Sequence, residues 1–116
     1  MKNLKIYFTS DMHGYIYPTN YVDRSEKNIG LLNIMSNFKK DDTLIIDCGD
    51  TIQGSPFTNY LSNNDFTTHP IADIMNAAGY DYITLGNHDF NYGLTYLNKY
   101  LHTLKAKCLC ANIVDK

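Results

Sequence analysis

Leu4, Ile6 and Phe8 alternate with Lys5, Tyr7 and Thr9, and the run closes on Ser10-Asp11, which predicts a first strand over residues 3–9. From Ile29 to Phe38 the apolar positions Ile29, Leu32, Met35 and Phe38 recur near the helical period, with Lys39-Lys40 suited to the C-terminal end of a helix. Thr43 to Ile46 is a short apolar run bounded by Asp42 and by Asp47-Cys48-Gly49-Asp50, as expected of a strand buried on both faces. Ser55-Pro56 can open a short helix over Phe57 to Leu61. Thr68 is placed to cap a longer one, with Pro70 in its first turn, Ile71, Ile74, Met75 and Ala78 on its apolar face and Gly79 as its stop. Tyr82 to Leu85 reads as a third strand, Leu94, Leu97, Leu101 and Leu104 as an amphipathic helix, and Lys107 to Ala111 as a fourth strand.

The resulting order, β-α-β-α-β-α-β, implies an α/β fold with a largely parallel sheet, right-handed crossovers and helices covering its faces. A chain of 116 residues holds one such domain, and an α/β layer of this kind usually continues through more strands, so the chain is expected to be incomplete. No apolar stretch approaches a membrane span, and the basic tip MKNLK is not followed by a leader's apolar core, so a cytoplasmic setting with no membrane partner is expected. The net charge of −2 carries no basic track, which argues against a nucleic-acid partner and for a small ligand. Cys48, Cys108 and Cys110 form no C-x-x-C pair and are expected to be small buried hydrophobes in strands.

Chemistry-bearing residues follow three predicted strands in turn: Asp11-Met12-His13, then Gly49-Asp50, then Gly86-Asn87-His88-Asp89. Parallel strands end at one edge, where open α/β sheets bind their ligands, so topology gathers Asp11, His13, Asp50, Asn87 and His88 into one crevice. Taken singly, each segment is also a common polar turn or helix cap. Carboxylates, an imidazole and an amide oxygen together suit a borderline divalent ion such as Mn, Fe, Co, Ni or Zn. A carboxylate shared by two such ions can help activate water for in-line attack on phosphorus, and Asp50 is the candidate bridge. Asp47 and Asp50 lack the two-residue spacing of an aspartyl-phosphate loop, and His69 and His102 read as structural or exposed.

Asp11-Met12-His13-Gly14, GDTIQGSP at 49–56 and GNHDFNYG at 86–93 resemble the calcineurin-like metallophosphoesterases, over essentially the whole chain. Together with Ala111-Asn112-Ile113 they look like the branch of 5′-nucleotidases and 2′,3′-cyclic-nucleotide 2′-phosphodiesterases. The resemblance implies the N-terminal portion of a metallophosphatase domain with an αββα sandwich and two divalent metal ions. It implies that Asp11 and His13 hold the first ion, that Asp50 bridges, that Asn87 holds the second, and that His88 assists catalysis. Asp89 is then a neighbour of the site, and Asn91 stands where many 5′-nucleotidases place an aspartate. An amide can orient His88 but not stabilise its imidazolium as a carboxylate would. Asn91 and His69-Pro70 look more like the cyclic-nucleotide branch. The family's later histidines and C-terminal nucleotide-binding domain have no counterpart in these residues, so a missing C-terminal half is an implied partner. The alternatives are an inactive metal-binding remnant and a nuclease-type phosphoesterase.

Overall fold

β1 (Lys5–Thr9), β2 (Thr43–Asp47), β3 (Tyr82–Ile83) and β4 (Lys107–Cys108) pair side by side in chain order, every neighbour parallel. The structure, a computed structural model, describes residues 2–114. Its crossovers carry α1 (Leu31–Ile34), α2 (Pro56–Ser62), α3 (Pro70–Ala78) and α4 (Leu94–Thr103), which establishes the α/β class. Register puts Thr9 opposite Asp47 and Asp47 opposite Ile83, so the three loops that follow leave the sheet from one edge.

Local chemistry accounts for the helix boundaries. Ser55 closes a capping box with Thr58 ahead of Pro56, and Gly79 ends α3 in the left-handed conformation. The third and fourth strands stop at Ile83 and Cys108, short of the expected Leu85 and Ala111, and two helix boundaries also differ from expectation. The first helix does not run from Ile29 to Phe38: Gly30, at φ 85°, blocks helical backbone there, and α1 passes after one turn into a 3₁₀ turn at Met35–Asn37. Leu31, not Leu32, then becomes the buried anchor, and Lys39-Lys40 lie beyond the last turn. Thr68 is not the cap of α3 either. His69 holds that position in extended backbone, as the residue before a proline prefers, and Thr68 bonds Asp73 instead.

The core is one cluster in which Ile45 and Ile83 of the sheet meet Ile71, Met75, Leu97 and Tyr100 of α3 and α4. Helices do not cover both faces of the sheet. Leu4, Ile6 and Phe8 stay 64%, 56% and 71% exposed on the side away from that cluster, so the alternation of β1 marks an open apolar face. The strand at 43–47 is buried on one side only, with Ile45 and Asp47 enclosed and Leu44 and Ile46 half-buried. The cysteines also depart from expectation: Cys48 and Cys108 are exposed and Cys110 half-exposed, because Cys48 lies past the end of β2 and the others lie on the edge strand or just after it. Among the described residues no helix is long and apolar enough to cross a membrane.

Candidate metal centre

Where β1 and β2 end, the two loops are laced together by backbone: Cys48 N–H donates to Thr9, Asp11 N–H to Gly49 and His13 N–H to Asp50, at 2.8–3.0 Å. This lacing is compatible with an unusual local geometry. Asp11, His13 and Asp50 all have positive φ, at 53°, 47° and 56°. For non-glycine residues that conformation is rare and costs about 1–3 kcal/mol, and such outliers concentrate at functional sites. It turns the three side chains toward one point, where a carboxylate oxygen of Asp11, a ring nitrogen of His13 and a carboxylate oxygen of Asp50 all lie within 4.8 Å of one another.

The His13 ring is fixed by its second nitrogen. Nδ1 lies 2.8 Å from the Gln53 carbonyl oxygen, which can only accept, so Nδ1 carries the proton and Nε2 presents its lone pair on the side of Asp11. Asp50 accepts 2.8 Å from the backbone N–H of His88, which ties the β2 loop to the β3 loop. That approach requires a bare backbone at residue 86, since a Cβ there would overlap the Asp50 carboxylate.

Asp89 completes the clasp. Fully buried, it accepts from the N–H groups of Asp50, Thr51, Ile52 and Gly86 at 2.8–3.0 Å. Four backbone donors hold its charge in place and set the height of Asp50. His88 stands on the 3₁₀ turn Asn87–Phe90, its ring centroid 5.4 Å from that of His13, with Asn91 Nδ2 3.0 Å from His88 Nδ1. With the amide as donor, the His88 proton sits on Nε2. Asn87 opens the same turn beside His88 and is exposed.

Asp47, three residues before Asp50, is buried beneath the site and accepts from Thr9, Thr51 and Gly49. Burial pushes its carboxyl up, against the pull of those hydrogen bonds. The anchoring roles of Gln53 and Asp47 leave no signal in the residue pattern, and Asp89 is marked there only as a neighbour of the site, because most of their bonds cross about forty positions of chain. His69 is buried between Tyr96 and Tyr100, and His102 is exposed and bonds the Asn98 carbonyl, so neither joins the site.

The family model for calcineurin-like phosphoesterases matches residues 4–114. The chain is 32% identical to a 2′,3′-cyclic-nucleotide 2′-phosphodiesterase/3′-nucleotidase of Yersinia enterocolitica, over 97% of this chain and 19% of that protein. It is 38% identical to a NAD 5′-nucleotidase of Haemophilus influenzae over 66% of this chain and 12% of that protein. The crystal structure of the calcineurin-like phosphoesterase YfkN from Bacillus subtilis superposes with a TM-score of 0.84 at 33% identity, covering 91% of this chain and 36% of the other. The chain thus spans about a fifth or less of these two curated relatives.

Proposed function

Since the chain belongs to the calcineurin-like phosphoesterase family, we propose that Asp11, His13, Asp50 and Asn87 are donors to a dinuclear metal centre that hydrolyses phosphate esters of nucleotides. The observation that carries this reading is the convergence of Asp11, His13 and Asp50 within 4.8 Å, with His13 Nε2 left free by the Gln53 carbonyl. This donor set, oxygen with one imidazole, fits a borderline divalent ion. Asp11 and His13 would hold one ion, Asn87 the other, and Asp50 both. Bound there, divalent ions supply charge that polarises a phosphoryl oxygen and lowers the pKa of water.

The chain's own residues do the rest. His88, oriented by Asn91, offers its Nε2–H to a phosphoryl or leaving-group oxygen as negative charge grows there. Asp89 fixes the backbone from which Asp50 projects, so the donors are positioned before substrate arrives. Asn91, in place of an aspartate, supports 2′,3′-cyclic nucleotides as candidate substrates beside 5′-monophosphates, the two classes that the curated relatives' names carry.

Four donor residues half-fill two coordination shells, so water, further residues or another chain would have to supply the remaining ligands. The competing reading, a metal-binding remnant without turnover, differs only in whether those ligands are supplied. Metal stoichiometry and hydrolysis of 2′,3′-cyclic AMP and 5′-AMP, measured on one sample with Mn or Zn, test both. Residues 1–116 alone should bind metal through Asp50 and turn over little. Failure of the chain to bind either ion sinks the metal-centre reading. Hydrolysis abolished by Asp50→Asn, with two ions bound per chain, would show that these donors suffice unaided.

A further inference from the structure

Among the described residues β4 is an edge strand, and Cys108 within it and Cys110 just beyond it, at positions i and i+2, bring their sulfurs to 3.9 Å of each other. Cys108 is exposed and Cys110 half-exposed. We propose that Cys108 and Cys110 form a second, sulfur-based metal site that takes a thiophilic divalent cation of the zinc and cadmium class.

The bite carries the argument. With metal–sulfur bonds of about 2.3 Å, two sulfurs 3.9 Å apart subtend about 116° at the ion, close to a tetrahedral angle. No backbone movement is needed to reach that angle, whereas a disulfide would require the sulfurs to close to about 2.05 Å. The Thr84 hydroxyl lies 3.5 Å from Cys110 Sγ and supplies an outer hydrogen-bond partner that holds that sulfur's orientation. Water completes the shell.

Binding proceeds without change of oxidation state: each S–H gives its proton to solvent as its sulfur bonds the ion. Capture therefore releases protons and strengthens as pH rises. The Asp11, His13 and Asp50 cluster contains no sulfur, so the two sites differ in ligand chemistry and are separable by spectroscopy. The inference does not depend on the phosphoesterase reading.

The test is titration of the full chain with cadmium, followed through the ultraviolet sulfur-to-cadmium charge-transfer band. The band should saturate at one cadmium per chain, vanish in Cys108→Ser and in Cys110→Ser, and persist in Cys48→Ser and Asp50→Asn. Bound cadmium should also protect Cys108 and Cys110, but not Cys48, from alkylation mapped by mass spectrometry. Absence of the band in the unaltered chain, or its survival in the Cys108→Ser/Cys110→Ser double variant, overturns the assignment.

Discussion

Neither ring nitrogen of His69 has a hydrogen-bond partner, although the side chain is fully buried against the rings of Tyr96 and Tyr100. Burial lowers its pKa to about 4, with the charges of Asp73 and Lys99 pulling in opposite directions. The unfolded chain takes up this proton near pH 6.5, so between pH 6.5 and 4 acid favours unfolding and stability rises with pH. Denaturation at pH 7 and pH 4.5 should show a loss of up to about 3 kcal/mol that is absent in His69→Phe. His88 faces the opposite situation, half-exposed and held by Asn91. In a form of the protein that turns over, His88→Ala should lower kcat by roughly 10²–10⁴-fold while bound metal, measured by atomic emission, stays unchanged. Loss of metal in step with activity would make His88 a ligand instead.

The 3₁₀ turn Asn87–Phe90 joins two loops because Asp89 points back into the protein and accepts from both of them. Asp89→Asn places an N–H₂ where a carboxylate oxygen meets backbone donors, and should cost about 2–4 kcal/mol in chemical denaturation. Metal affinity should fall with it, since Asp50 loses its support; unchanged stability would remove Asp89 from that role. The succession of elements and three of the four helices are legible in the sequence because alternation and caps are local: Ser55-Pro56, Gly79 and Leu94 to Leu104 announce themselves. The convergence of Asp11, His13 and Asp50 is legible too, through the rule that parallel strands end together. The first helix is not, because Gly30 lies inside an unbroken apolar period and Tyr15 and Ile16 take the first amides from across the loop. Nor are the supports of Gln53 and Asp89, which exist only once distant loops are side by side.

The chain measures 24 Å across its thinnest dimension, a sheet with its helices gathered on one side. The other side presents Leu4, Ile6 and Phe8 to solvent, joined by the partly exposed Ile46. An apolar face of this kind is an association surface, so the isolated chain should self-associate at rising concentration, and Ile6→Thr with Phe8→Thr should return it toward monomer in sedimentation velocity. A concentration-independent monomer before substitution would count against this. The Asp89 clasp reaches across the molecule in another way. Loop amides normally exchange with solvent deuterium in seconds, but those of Asp50, Thr51, Ile52 and Gly86 all donate to a buried carboxylate tied to the core. In a deuterium-uptake map of the whole chain, these four should rank with the interior of β2, so the slowest-exchanging unit would be the sheet together with the loops that carry Asp50 and Asn87.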